Sequence, residues 1–213
     1  MLAIVGGKGG CGKTTTALGL ARALAAEGHR PIVADADCSM PNLHAMAETD
    51  LRPGLGAVAD GAPLDSVCHR SRAYPGVDVV PAGSAMGPPA EPALDALART
   101  NDPVVLDCPA GATEGVTAPV CAADSALVVS TAERASFVDA AKTARMVRTL
   151  GTELVGAVVT RTRSDPPDCP ESDALREECP VLGTVPETDD PLSGQIGRAA
   201  YERVVCRLSE RNI

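Results

Sequence analysis

A chain of 213 residues, 45% of them hydrophobic, is long enough to bury a sizeable core and too apolar to be disordered. No apolar run approaches the ~20 residues of a membrane-spanning helix, and the first residues lack the basic segment of a secretory signal, so we expect a cytoplasmic protein. The net charge of −9, from 28 acidic and 19 basic residues, excludes a surface that attracts nucleic acid through its overall charge.

Short runs of β-branched apolar residues alternate along the chain with longer segments of helical periodicity. The runs predict strands at residues 2–5, 31–34, 77–80, 104–106, 126–129, 154–160 and 181–185. The longer segments predict helices at residues 14–27, 91–99, 135–150, 171–178 and 193–209. Most of the strands are apolar at every position, as in a parallel sheet that is covered on both faces. The alternation predicts a single α/β domain, residues 1–213, with a doubly wound, mostly parallel sheet and helices on both faces.

The eight cysteines are scattered through the sequence without a CxxC or CxC pair. A chain of this size needs no disulfides, and thiolates that bind metals are usually paired at short spacing. We therefore expect free thiols that pack as small core residues.

A glycine-rich segment follows the first predicted strand and opens the first predicted helix. Residues 7–14 match the phosphate-binding loop GxxxxGK(S/T) at every fixed position. Glycine lets consecutive backbone N–H groups turn toward phosphate oxygens, and the helix N-terminus adds a partial positive charge. Lys13 is expected to reach the β- and γ-phosphates, and the Thr14 hydroxyl to ligate Mg²⁺. The predicted nucleotide-binding residues of the loop are Gly7, Gly9, Gly10, Cys11, Gly12, Lys13, Thr14 and Thr15.

Three aspartates follow predicted strands. Asp35 and Asp37 come after the second strand, and Asp107 comes directly after the strand at 104–106. Ligands of open α/β sheets bind outside the carboxyl ends of the strands, so these carboxylates are expected to converge on the phosphate loop. Asp107, at the end of an apolar strand, suits a supporting role in a Mg²⁺ site.

Residues 8–15, 35–43 and 104–111 read KGGCGKTT, DADCSMPNL and VVLDCPAG. These segments resemble the three motifs of MinD/ParA ATPases, and most closely those of MinD-type proteins. The first is the deviant phosphate loop of this family, which carries an extra lysine, here Lys8. By the same resemblance, four residues that follow later strands are expected to contact adenine and ribose: Thr160, Arg161, Pro186 and Glu187.

The resemblance implies a switch that is driven by ATP and Mg²⁺. Two subunits would form an ATP-dependent homodimer around two nucleotides, with each Lys8 reaching the phosphates of the other subunit. Asp37 would orient the attacking water, and Asp35 would support the Mg²⁺ shell and the adjacent loop. Hydrolysis is expected to be slow and stimulated by a partner. The switch would recruit an unidentified protein partner for cell division or intracellular positioning.

The C-terminal segment departs from that of MinD proteins, which end in an amphipathic helix that binds membrane. It places Ile196, Ala200, Val204 and Leu208 at intervals of four, which predicts a helix packed on the sheet, and it lacks the aromatic and lysine residues of a membrane anchor. We expect no intrinsic membrane binding, although a partner could recruit the protein to a membrane. DNA binding is also not expected, because the basic segment 161–163 is small.

Two other functions remain open at this point. Related ATPases of metal-centre assembly share paired cysteines at a dimer interface, and Cys108, beside Asp107, is the one residue that suggests this function. Alternatively, the protein could sense ATP as a scaffold and hydrolyse it negligibly.

Overall fold

Parallel strands form the centre of the molecule. The computed structural model describes residues 1–83, 87, 89–111, 114–163 and 169–210. Its strands are β1 (Leu2–Val5), β2 (Ile32–Asp35), β3 (His69–Arg70), β4 (Asp78–Val80), β5 (Val104–Asp107), β6 (Ser125–Thr131), β7 (Glu153–Thr162) and β8 (Val181–Pro186). They form an eight-stranded sheet in the order β3-β4-β2-β5-β1-β6-β7-β8. Strand β3 runs antiparallel to β4, and all the other neighbours are parallel.

Helices cover both faces of the sheet. They are α1 (Lys13–Ala26), α2 (Leu43–Met46), α3 (Leu55–Ala59), α4 (Glu91–Ala98), α5 (Glu114–Ala122), α6 (Arg134–Thr149), α7 (Pro170–Glu178) and α8 (Gln195–Ser209). Helices α1, α2 and α8 bury apolar side chains against one face, and α3 to α7 bury theirs against the other. This arrangement confirms the predicted doubly wound α/β fold.

Strand β1 shows how burial on both faces fixes the fold. Ala3 and Val5 point to the core under α4 to α7, whereas Ile4 points to the core under α1 and α8. All three residues have no exposed surface. Because alternate side chains of a strand point to opposite faces, an uninterrupted apolar run is stable only where both faces are covered.

The predicted elements are confirmed, with ends that differ by one or two residues. The structure adds elements that the sequence pattern did not reveal, namely β3, α2, α3 and α5. Strand β3 has two residues, and α2 and α3 have four and five, which is too short to show a period. Helix α5 carries Pro119 in its interior, a residue that ordinarily predicts the end of a helix.

Helix α8 packs on the sheet as predicted, with one exception. Ala200, Val204 and Leu208 are buried, but Ile196 is 64% exposed. Its neighbour Gly197 is buried, so Ile196 faces away from the core. Positions spaced by four residues rotate by about 40° at each step around a helix, and Ile196 lies outside the buried face. Among the residues that the structure describes, no helix is both long and apolar enough to cross a membrane.

The cysteines are free thiols, but they are not all core residues. Cys11, Cys108, Cys169 and Cys179 are buried, in agreement with the prediction. Cys38 and Cys68 are half-buried. Cys121 and Cys206 are exposed, so the prediction of core packing is wrong for Cys121 and Cys206. Cys121 lies on α5 and Cys206 on α8, and neither belongs to the buried clusters of the described residues.

Candidate functional site

The phosphate loop joins β1 to α1 at the carboxyl edge of the sheet. Because β1 lies between β5 and β6, the loop is flanked by the residues that follow both neighbours. Gly10 (φ +74°) and Gly12 (φ +94°) adopt left-handed conformations that glycine tolerates without a steric cost. Lys13 then opens α1, so the unpaired N–H groups of the first helical turn lie beside the loop.

Neighbouring elements hold the loop in shape. Gly7 lies so close to α6 that a Cβ atom in its place would come within 2.5 Å of the Asp139 Cβ atom. On the other side, the Thr160 hydroxyl at the end of β7 donates a hydrogen bond to the Cys11 carbonyl (2.8 Å). The Cys11 thiol is buried and faces Gly6, so this residue offers only its backbone to a ligand.

Lys13 is unusually buried for a lysine, with 8% of its surface exposed. A buried ammonium group is costly unless an opposite charge compensates it. The Asp107 carboxyl group supplies part of that compensation: burial raises the pKa of Asp107, and the charge of Lys13 opposes this rise. The glycine loop around this ammonium group therefore suits an anionic ligand such as a nucleotide phosphate.

Two of the predicted carboxylates lie side by side. Asp35 ends β2 and Asp107 ends β5, and the two residues are directly paired in the parallel register of these strands. Both are buried, with 0% and 1% exposure. Burial, and then the charge of Asp107, raises the pKa of Asp35 to about 8. Burial also raises the pKa of Asp107 to about 6, although the Thr14 hydroxyl and Lys13 act in the opposite direction.

The two carboxyl groups differ in their hydrogen bonds. Asp35 accepts bonds from the N–H groups of Asp37 (3.1 Å) and Leu43 (3.3 Å), so both of its oxygens hold the loop that follows β2. In contrast, the Asp107 Oδ1 atom is buried and has no hydrogen-bond partner in the described part of the chain. A buried carboxylate oxygen without a partner is unfavourable, and a bound cation removes that cost.

Thr14 and Asp107 thus offer a hydroxyl and a carboxylate, the oxygen donors that Mg²⁺ prefers. They lie at the mouth of the phosphate loop, where a nucleotide would supply further oxygens. The unpartnered Asp107 oxygen is the observation that fits these residues to a Mg²⁺ site. Asp35 lies next to Asp107 and positions the loop that follows β2.

The Asp37 side chain stabilises the turn that begins at this residue. Its Oδ1 atom accepts hydrogen bonds from the Ser39 hydroxyl (2.6 Å) and from the Met40 N–H (3.1 Å). The side chain is therefore engaged within the loop, and it would have to leave these partners to orient a water molecule. Met40, at the tip of the loop, is 76% exposed.

Lys8 is held by a residue outside the loop. Its Nζ atom lies 2.5 Å from the Glu133 Oε2 atom, at the residue that precedes α6. The hydrogen bond and charge of Lys8 lower the pKa of Glu133. About a third of the Lys8 side chain is exposed, so this lysine lies at the surface of the site while Lys13 lies inside it.

The predicted base-contacting residues line one cavity beside the phosphate loop. Its volume is about 390 Å³, which lies within the usual range for clefts that bind small molecules. The cavity brings together the phosphate loop, the end of β7 and the end of β8. Its lining includes Gly12, Thr15, Thr160, Arg161, Pro186, Glu187 and Tyr201. Arg161 has φ +54°, a conformation rare for a residue with a side chain, and it lies near the end of β7, where the register with β8 shifts between Thr160 and Thr162.

Several residues of the site were not assigned a role from the sequence. Glu133 holds Lys8, Asn42 accepts a hydrogen bond from Thr14 (3.1 Å), and Tyr201 of α8 lines the cavity beside the phosphate loop. Asn42 belongs to the segment 35–43, so the motif pointed to it without showing its contact. Glu133 and Tyr201 are distant in sequence from every motif, and no local signal predicts them.

Cys108 lies next to the site but does not face it. The residue has no exposed surface, and burial raises the pKa of its thiol. Its Sγ atom donates to the Leu106 carbonyl (3.7 Å). A buried, protonated thiol is not placed to share a metal with a second subunit, so the structure does not favour metal-centre assembly.

A glycine-rich loop between a central strand and a helix, with acidic residues at the ends of neighbouring strands, defines a P-loop nucleotide-binding protein. Comparison with known proteins gives the family. Residues 2–193 match the model of the CobQ/CobB/MinD/ParA nucleotide-binding domain, and the chain belongs to this family. An ATP-binding protein of Methanocaldococcus jannaschii is 33% identical over 197 residues, which cover 87% of this chain and 74% of that protein.

Solved structures agree with this assignment. The cell division ATPase MinD of Pyrococcus furiosus superposes with a TM-score of 0.79 at 25% identity and covers 99% of this chain and 98% of its own. MinD of Pyrococcus horikoshii, in complex with Mg-ADP, superposes with a TM-score of 0.83 at 22% identity and covers 99% and 96%. The resemblance to MinD/ParA ATPases and the P-loop fold are thereby confirmed.

Proposed function

We propose that this protein is a Mg²⁺-dependent ATPase of the MinD/ParA type, which forms a homodimer on binding ATP and then recruits a protein partner. The observation that carries the proposal is the buried Asp107 oxygen without a partner, which lies with Thr14 and Lys13 at the mouth of the phosphate loop. Membership of a family that contains ATPases supports the same activity.

The phosphate loop would bind and orient the nucleotide. Backbone N–H groups of Gly9, Gly10 and Gly12 would surround the phosphate oxygens, and the Lys13 ammonium would contact the β- and γ-phosphates. Thr14 would ligate Mg²⁺ through its hydroxyl oxygen, and the Asp107 carboxylate would support the metal site. The metal ion, when bound, neutralises negative charge on the phosphates. The adenosine would enter the 390 Å³ cavity next to the loop.

Asp37 is the residue proposed to position the attacking water. In the structure its carboxylate is bound by Ser39 and Met40, so the loop must rearrange before Asp37 can do so. This requirement accounts for an enzyme that is slow until a partner favours the rearranged loop. Asp35 would not act on the water, because its two oxygens hold the ends of the loop.

Lys8 is the residue proposed to act across the dimer. It lies at the surface of the site and is bound to an exposed glutamate, so it can leave that partner at little cost. In a dimer it would reach the phosphates of the opposite nucleotide and add positive charge to the site. We propose a cytoplasmic role in cell division or intracellular positioning, without intrinsic binding to membrane or DNA.

The two loop lysines give the test of this function. Lys13→Ala removes a charge-assisted phosphate contact and is expected to weaken ATP binding about ten- to a hundredfold in the monomer. Lys8→Ala is expected to bind ATP like the parent protein but to lose ATP-dependent dimerisation and hydrolysis. Nucleotide titration, analytical ultracentrifugation with a slowly hydrolysed ATP analogue and phosphate release measure these effects.

Lys142→Ala serves as the matched control, because this lysine lies on the exposed surface of α6. If the Lys8→Ala protein dimerises and hydrolyses ATP like the parent, the two-subunit mechanism is wrong. Failure of the parent protein to bind ATP with Mg²⁺ would refute the proposed activity as a whole.

A further inference from the structure

Two arginines, Arg22 of α1 and Arg198 of α8, line a small cavity between these helices. The volume of the cavity is about 30 Å³, which is room for one or two groups of the size of a water molecule. Its walls come from both helices and include Gly19, Arg22, Arg198, Tyr201 and Glu202. Among the described residues, Tyr201 alone also lines the cavity beside the phosphate loop, so the two cavities are separate sites.

The positive charge of Arg22 has no opposite charge in contact with it. Within the described part of the chain, neither Arg22 nor Arg198 forms an ion pair with a carboxylate. The Arg22 Nη1 atom is buried and has no hydrogen-bond partner among the same residues. The guanidinium lies over the Tyr74 ring, 5.2 Å from its centre, and this contact compensates only part of the cost of burying a charge.

Arg198 adds a second positive charge to the same cavity. Burial, and then the charge of Arg198, lowers the pKa of Arg22, whereas the charges of Asp190 and Glu202 act in the opposite direction. Glu202 lines the cavity as well, but it is an exposed residue and does not pair with either arginine. Two guanidinium groups that share a small cavity repel each other, and a small anion between them replaces this repulsion with two attractions.

We propose that the cavity between α1 and α8 binds a small monovalent anion such as chloride, held by the guanidinium groups of Arg22 and Arg198. Arginine suits this role because it keeps its charge and presents several N–H donors in one plane. The volume suits an anion close to the size of a water molecule. The bound anion would hold α8 against α1, the helix that Lys13 of the phosphate loop opens. A water molecule would fill the same space but leave both positive charges uncompensated, so water is the alternative that the experiment must exclude.

The proposal predicts that chloride stabilises the folded protein specifically. Raising sodium chloride from about 0.05 M to about 1 M, with sodium gluconate keeping the ionic strength constant, is expected to lower the unfolding equilibrium constant about three- to tenfold. Gluconate is too large for the cavity, so it supplies ionic strength without binding there. Urea titrations at each chloride concentration measure the unfolding constant.

Substitutions of the two arginines assign the effect to the cavity. Arg22→Met removes the guanidinium but keeps an unbranched side chain against Tyr74, and the chloride dependence is expected to disappear. Arg198→Met is the second variant and should reduce or abolish the dependence. Arg203→Met is the matched control, because Arg203 is an exposed arginine of α8 that does not line the cavity. It should keep the chloride dependence of the parent.

Crystals grown in sodium bromide give a test that needs no variant. An anomalous scattering peak between Arg22 and Arg198 supports the site, and the absence of a peak there overturns it.

The urea titrations decide in the same way. A chloride effect that is present in the parent and in Arg203→Met, but is lost in Arg22→Met or Arg198→Met, supports the proposal. Equal stability of the parent in chloride and in gluconate, or an effect that persists in both cavity variants, overturns it and leaves water as the occupant. The proposed ATPase is tested separately by nucleotide binding, so either proposal can fail without the other.

Discussion

Replacement of Glu133 with glutamine is expected to strengthen ATP-dependent dimerisation. The substitution removes the charge that holds the Lys8 Nζ atom at 2.5 Å and keeps a side chain of nearly the same shape. Exposed ion pairs contribute little, so release of one Lys8 should favour the dimer by about 1.5- to fivefold. Each dimer contains two such lysines, and the two effects multiply to about two- to 25-fold.

Sedimentation equilibrium with Mg²⁺ and a slowly hydrolysed ATP analogue measures the monomer–dimer constant directly. The difference between Glu133→Gln and the parent should shrink as salt is raised, because salt screens the exposed ion pair that the parent retains. Asp95→Asn is the control, since it breaks the exposed Arg99–Asp95 pair (3.1 Å) on α4. If Glu133→Gln dimerises no more tightly than the parent at low salt, Glu133 does not restrain Lys8.

Three further predictions follow from buried groups. Gly19→Ala should lower the free energy of unfolding in urea by about 1–3 kcal/mol, because the new Cβ atom would lie 2.3 Å from the Tyr201 ring; equal stability would contradict the α1–α8 contact. In EDTA, the free energy of unfolding should fall as pH rises from about 4 to about 8, since the raised pKa of Asp35 makes the folded state release its proton later than the unfolded state does. Urea titrations across this range should show a flatter slope for Asp35→Asn, and an unchanged slope would mean that Asp35 titrates normally. Iodoacetamide at pH 8 should label Cys121 and Cys206 well before Cys108 and Cys179, because burial raises the pKa of the latter two thiols; mass spectrometry of tryptic peptides gives the order.

The sequence alone was sufficient to predict which segments form the site. The phosphate loop is a local motif, and its glycines, Lys13 and Thr14 lie within the eight consecutive residues 7–14. The pairing of Asp35 with Asp107 depends on which strands are neighbours, yet a parallel sheet brings all strand ends to one edge, so their convergence could be predicted. The cavity formed by Thr160, Arg161 and the end of β8 follows from the same rule.

The contacts that set the state of the site could not be predicted. Lys8 meets Glu133, and Thr14 meets Asn42, because of the conformations of two loops, and loop conformations are decided by contacts with the rest of the fold. Asp37 shows the same limit. Its motif implies that Asp37 faces the nucleotide. However, its short side chain also forms a turn by accepting hydrogen bonds from the Ser39 hydroxyl and the Met40 N–H group.

The two-residue strand β3 has a consequence for how copies of this protein can meet. It runs antiparallel at the margin of the sheet, next to β4, and offers a foreign strand only His69 and Arg70 to pair with. So short and polar a margin is a poor template for intermolecular β-pairing. At high protein concentration, this side of the sheet is thereby protected from growing into β-aggregates, even when many copies are crowded together.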